Sequence, residues 1–237
     1  MKRFFAALLC AGVLIRAAQA SVPHQKYAAL TFDDGPSGAL TDRLLDALAA
    51  RGARATFFVC AYRVRSYPAQ TARIAEEGHE LGLHSCCHDD MRAMTKEQAL
   101  DDLTECMVAV SECCGVRARL FRPPGGLSSD AVRAAAEELG LSMILWSVDP
   151  LDWDPREHGR VLGRILEGAA DGAVILMHEL SEHSVQCAAE AVDRLQKAGY
   201  VFVTVSELAA RAGTELLPGG VFRAFCPAAV DERRRLQ

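Results

Sequence analysis

Alternation constrains this chain more than any other feature. Short apolar runs of strand length recur between stretches with helical spacing, and the junctions carry cap or turn residues. "YAALTF" (27–32), "ATFFVC" (55–60), "ELGLH" (80–84), "ARLFR" (118–122), "SMILWSVD" (142–149), "GAVILMHE" (172–179) and "YVFVTV" (200–205) read as strands. Between them lie the helical stretches "LTDRLLDALAARG" (40–52) and "PAQTARIAEEG" (68–78). A long helix follows, opened by Thr95 and Gln98 at capping-box spacing and closed at Gly115. "AVRAAAEEL" (131–139) has Ser128, Ser129 and Asp130 as candidate caps, and "VQCAAEAVDRLQKAG" (185–199) and "SELAARA" (206–212) complete the series. Strands separated by helices pair side by side in parallel. About seven such units in one domain predict a closed or nearly closed (β/α) barrel of seven to eight strands, with an open doubly wound sheet as the alternative. In both, chemistry belongs at the carboxyl ends of the strands.

The two chain ends read differently from this core. Lys2 and Arg3 precede the apolar run "FFAALLCAGVLI", and "AQA" stands at 18–20. That pattern predicts a signal peptide over residues 1–20, with an uncleaved N-terminal anchor as its rival, and hence a secreted or cell-envelope protein. Residues 21–213 form the expected folded domain, and 214–237 read as an irregular tail. Removing residues 1–20, which hold three basic residues and no acidic one, takes the net charge from −5 to −8. No Lys/Arg-rich run is offered to nucleic acid, and a monomer is expected. Cys10 lies in the leader, which leaves eight of the nine cysteines. An even number in an exported chain permits disulfides. Cys114, however, continues the apolar stripe of Leu100, Leu103, Met107 and Val110 and reads as core.

Asp33 and Asp34, in "LTFDDGPS", end the first strand and are followed by Gly-Pro. Adjacent carboxylates repel, so the pair suggests that one binds something positive and the other does acid–base work. In "HSCCH" (84–88), His84 and His88 are four apart; on a helical turn they would share one face and reach one ion. Cys86 and Cys87 would point away from that face. With Asp34, the set becomes two imidazoles and a carboxylate, which leaves positions open for water and substrate. "RPPGG" (122–126), "DPLDW" (149–153) and "LMH" (176–178) also fall at strand ends.

These five segments resemble, in order and type, the five motifs of the polysaccharide deacetylases, the NodB-homology or carbohydrate esterase four family. The resemblance runs from about Tyr27 to Ala212 and implies a distorted (β/α) barrel. It implies Asp33 as general base, and Asp34, His84 and His88 as ligands of Zn2+ or another divalent ion such as Co2+ or Mn2+. It further implies Arg122 as the partner orienting Asp33, and His178 as general acid oriented by Asp152 or Asp149. Trp153 and Leu176 would wall the acetyl pocket beside Pro123, and the Gly125 N–H would hold the oxyanion. The family usually has Tyr where this chain has Gly125. The activity implied is removal of N-acetyl groups from N-acetylglucosamine units of a polysaccharide, peptidoglycan ahead of chitin. An O-acetyl (xylan-type) esterase and a non-catalytic glycan-binding barrel are the other readings.

Overall fold

The computed structural model describes residues 25–226; the signal-peptide expectation lies outside them. The chain runs β1 (Lys26–Gly35), α1 (Ala39–Ala49), β2 (Ala55–Val59), α2 (Ala61–Ser66), α3 (Pro68–Glu76), β3 (Glu80–Leu83), α4 (Lys96–Cys114) and β4 (Leu120–Phe121). It continues α5 (Asp130–Glu138), β5 (Ser142–Ile144), α6 (Val161–Gly168), β6 (Ala173–His178), α7 (Glu182–Lys197), β7 (Tyr200–Phe202), α8 (Val205–Arg211) and β8 (Val221–Phe222).

The sheet order is β6-β1-β2-β3-β4-β5-β8, with β7 beside the start of β1. Every strand ladder is parallel. Two isolated bridges, Val148 to Ile175 and Ala173 to Ala224, draw the far end of the sheet back to β6. The result is the distorted, curled barrel expected from the alternation. Strand burial explains the near-continuous apolar runs: β2 is buried at all five residues and β6 at its first five.

Local signals place the helices. Thr95 and Gln98 form the reciprocal capping box of α4, which ends at Gly115 in the left-handed region. Of the three candidate caps for α5, Ser129 does the capping. Two expectations need correction. The tail read as irregular contains β8, which pairs with β5 through Val221 and Phe222. Two residues are too short to show a period, so nothing in the sequence marked them. The stripe on α4 is shifted: Cys106 is fully buried, whereas Leu100, Met107 and Cys114 only pack against the core edge. All eight cysteines among the described residues are free. Among those residues no helix is long and apolar enough to cross a membrane.

Candidate active site and metal centre

Neighbouring residues on a strand point to opposite faces, so Asp33 and Asp34 should diverge. They do not, because β1 carries a bulge. Asp33 pairs with Phe58 and Gly35 with the next residue, Val59, which leaves Asp34 as the extra residue. Its φ of 70° is in the left-handed region, where Asp is among the few tolerated side chains. The bulge turns both carboxylates toward the same imidazole: His84 Nε2 lies 3.2 Å from Asp34 Oδ1 and 3.8 Å from Asp33 Oδ2.

His84 follows β3, and its Nδ1 donates to the Arg122 carbonyl at 2.7 Å. A carbonyl can only accept, so Nδ1 carries a proton and Nε2 is the atom that faces the two carboxylates. His88 Nε2 is also 3.2 Å from Asp34 Oδ1. The two histidines do not share a helical face. Residues 84–88 form a loop in which Ser85 (φ 64°) and His88 (φ 62°) are both left-handed, and the His88 N–H donates to Ser85 Oγ at 2.8 Å. The ligand atoms of Asp34, His84 and His88 lie within 4.8 Å of one another. Asp34 Oδ1 is buried without a hydrogen-bond partner. A buried carboxylate oxygen facing two imidazole nitrogens is the arrangement that a cation satisfies, so these residues fit a divalent metal. Burial opposes ionisation of Asp34, yet His84 and His88 outweigh it and hold the group well below the usual carboxylate range. Contact with Asp34 in turn raises His88. Cys86 is buried and Cys87 exposed, and neither joins the group.

Arg122 is fully buried. Its NH1 donates to Asp33 Oδ1 at 2.6 Å and to Thr31 Oγ1 at 2.8 Å. Nε and NH2 donate to the carbonyls of Ile144 and Leu145. The guanidinium also lies 4.1 Å from the Phe58 ring and 5.6 Å from Trp146. Asp33 is thereby clamped on one oxygen and left with the other facing the pocket. Arg122→Met should leave Asp33 buried without its counter-charge, at a cost of about 3–5 kcal/mol in chemical unfolding. An unchanged midpoint would show that the pair adds nothing to the fold.

His178 ends β6 in register with Asp33. Its Nδ1 donates to Asp152 Oδ1 at 2.8 Å, its backbone N–H donates to Oδ2 at 2.8 Å, and Nε2 is left free. Asp152 is therefore the carboxylate that holds His178. Asp149 lines the pocket but accepts from the Leu151 N–H instead. Burial disfavours the imidazolium, yet Asp152 and the charges of Asp33 and Asp34 outweigh it and raise His178 from 6.5 to about 9.

A pocket of about 360 Å³ gathers Asp33, Asp34, His84, His88, Gly125, Trp146, Asp149, Trp153, Leu176 and His178. Trp153 is 59% exposed at its rim. Pro123 is buried and is not among the lining residues; it accepts the Gly126 N–H and shapes the turn beneath. Gly125, at φ 63°, does line the pocket. Sequence reasoning missed Trp146 and Thr31. Thr31 stands two residues before Asp33 and so shares its face, a signal that alternation offered. Trp146 lay inside a stretch read as strand. A larger cavity of about 480 Å³, lined by Tyr27, Leu208 and Arg211, lies away from these residues and has no comparable chemistry.

The polysaccharide deacetylase family model matches residues 20–144. The peptidoglycan-N-acetylmuramic acid deacetylase PdaC of Bacillus subtilis is 38% identical over 186 residues, covering 78% of this chain and 39% of the relative. The chain thus spans about two fifths of the length of that protein. A structure of PdaC superposes with a TM-score of 0.75 at 37% identity, covering 79% of this chain and 92% of that one. A peptidoglycan-N-acetylglucosamine deacetylase of Bacillus cereus is 35% identical over 190 residues, covering 78% of this chain and 89% of the relative. A family 4 acetyl xylan esterase from Clostridium thermocellum, solved with a cobalt ion, superposes with a TM-score of 0.78 at 29% identity, covering 84% and 98%. Sequence, barrel and motif order agree, and the chain belongs to the polysaccharide deacetylase family.

Proposed function

We propose that this chain is a metal-dependent hydrolase that removes N-acetyl groups from amino sugars of a cell-wall polysaccharide, peptidoglycan first, releasing acetate and a free amine. One observation carries the reading. The β1 bulge brings together a carboxylate facing two imidazoles and a carboxylate held by buried Arg122, and both face the His178–Asp152 pair across one pocket.

A divalent cation held by Asp34, His84 and His88 would supply Lewis acidity, polarising the acetyl carbonyl and making water acidic. Zn2+ suits two imidazoles and one carboxylate, and Co2+ or Mn2+ are alternatives. Asp33, fixed by Arg122, accepts the proton of the attacking water as the C–O bond forms. Gly125 lines the pocket, and its N–H would donate to the developing oxyanion. His178 Nε2 gives its proton to the amide nitrogen as the C–N bond breaks, and Asp152 stabilises the imidazolium until then. Trp146, Trp153 and Leu176 wall the site around the acetyl methyl. Likeness to PdaC and to the Bacillus cereus enzyme supports peptidoglycan as the polymer, and export through residues 1–20 would bring the protein to it.

Acetate release and product masses on defined peptidoglycan fragments, chitin oligomers and acetylated xylan test the reading. Deacetylated muropeptides are the expected product. Likeness to the acetyl xylan esterase keeps O-acetyl hydrolysis as the second reading, and release from xylan alone would favour it. The metal site is tested separately. His84→Ala and His88→Ala should each lose most of the bound Zn2+ by elemental analysis, while Cys87→Ser keeps it. Stoichiometric Zn2+ in both histidine variants would place the ion elsewhere.

A further inference from the structure

Glu179 is fully buried, carries a carboxyl and takes no part in the reaction described above. It follows His178 one residue past the end of β6, and its side chain does not line the pocket but packs at the end of β1. There it meets Gly35. A Cβ added to Gly35 would lie 1.6 Å from Glu179 Oε1 and 2.5 Å from Cδ. Gly35 does not adopt a left-handed φ, so the backbone does not demand glycine; the Glu179 carboxyl does. The same residue is tied to the turn that follows. Thr41 Oγ1 lies 3.4 Å from Oε1, the Ser37 N–H donates to Thr41 Oγ1 at 2.8 Å, and Ser37 Oγ donates to the Glu179 carbonyl at 2.6 Å. Glu179 Oε2 has no hydrogen-bond partner. A buried polar atom left in that state is costly, and an apolar residue of similar size would avoid the cost.

We propose that Glu179 is a positioning residue whose carboxyl, seated against Gly35, props the Asp33–Gly35 bulge from behind and so keeps Asp33 and Asp34 aimed into one pocket. The proposal rests on the reading of Asp34, His84 and His88 as a metal site. Burial raises Glu179 above the ordinary carboxylate range; the steric contact carries the role. Gly35 and Glu179 form a steric pair: a methyl at 35 displaces either the bulge or the Glu179 carboxyl, and full burial leaves that carboxyl little room to move.

Four proteins decide the matter: wild type, Gly35→Ala, Glu179→Ala and the double variant. Each is read by thermal unfolding of the metal-free chain and by Zn2+ affinity in competition with a chromogenic chelator. Gly35→Ala should melt lower and bind Zn2+ about 10–100-fold more weakly, the range for groups that orient metal ligands. The double variant should regain much of both, a departure from additivity expected only of residues in contact. Glu179→Ala should weaken Zn2+ binding, and Glu179→Gln, which keeps the shape, should restore it. If Gly35→Ala does not fold, recovery of fold in the double variant is the expected result. Wild-type behaviour of Gly35→Ala, or a double variant no better than Gly35→Ala, overturns the proposal. A wild-type chain that binds no Zn2+ would instead remove the metal-site reading and the positioning role with it, while the melting data would still judge the steric pair.

Discussion

Asp33→Asn is expected to keep its metal and lose about two to four orders of magnitude in deacetylation rate, the usual worth of a general base. The amide preserves the shape of Asp33 and can still meet Arg122 through its oxygen, but it cannot accept the proton of water. Asp34→Asn should do the opposite and lose the metal first, because Asp34 Oδ1 is the atom that faces both His84 and His88 at 3.2 Å. Metal content and kcat measured together on the two variants separate the roles. Metal lost in Asp33→Asn and kept in Asp34→Asn would mean that the bulge assigns the pair the other way round.

For His178→Ala, the expected loss depends on the leaving group. An amine departs only when protonated, so deacetylation of an N-acetylglucosamine oligomer should fall by about two to four orders of magnitude. A phenolate leaves unaided, so hydrolysis of 4-nitrophenyl acetate should fall far less. Equal losses on both substrates would place His178 in support of the metal site or the oxyanion, and the acid would have to be sought elsewhere. The pH profile gives a second reading. With His178 raised to about 9, the acid is protonated through neutral pH, and the rate should fall on the alkaline side near or below that value. A bound cation offsets Asp33 and Asp34 and moves the fall downward. This limb should be absent for the activated ester. Stability carries the same signature. The folded value lies above the ordinary 6.5, so the His178–Asp152 pair contributes fully below about 6.5, and its contribution is lost as pH rises through about 9. Melting of the metal-free chain across that window should show the loss, and Asp152→Asn should flatten it.

Repetition made the barrel legible. Parallel strands buried on both faces leave long apolar runs, and helices on the outside leave periodic stripes, so the order of elements could be read without any contact being known. Caps such as Thr95 with Gln98 are local chemistry and were equally readable. Three elements were not. β8 has two residues, α2 follows β2 with only Cys60 between, and α6 (Val161–Gly168) spans eight residues, too few to establish a helical period.

Residue types were settled by the sequence itself, and so was placement at strand ends for the paired carboxylates, the arginine, His84 and His178; Asp149 and Asp152 lie in a loop, because the strand read over 142–149 ends at Ile144. Which atom meets which was decided by the tertiary structure. Alternation alone sends Asp33 and Asp34 to opposite faces, and only the bulge, with Gly35 pressed against Glu179, turns them together. Four-residue spacing suggested a helical turn for His84 and His88, whereas a loop with two left-handed residues aims them. The resemblance named Asp152 with Asp149 as its alternative, and the fold gives His178 to Asp152 because that carboxylate reaches both its ring and its backbone N–H. Periodicity reports which way a strand or helix faces on average. A site is built where the chain leaves that regularity, and there long-range packing chooses the direction of each side chain.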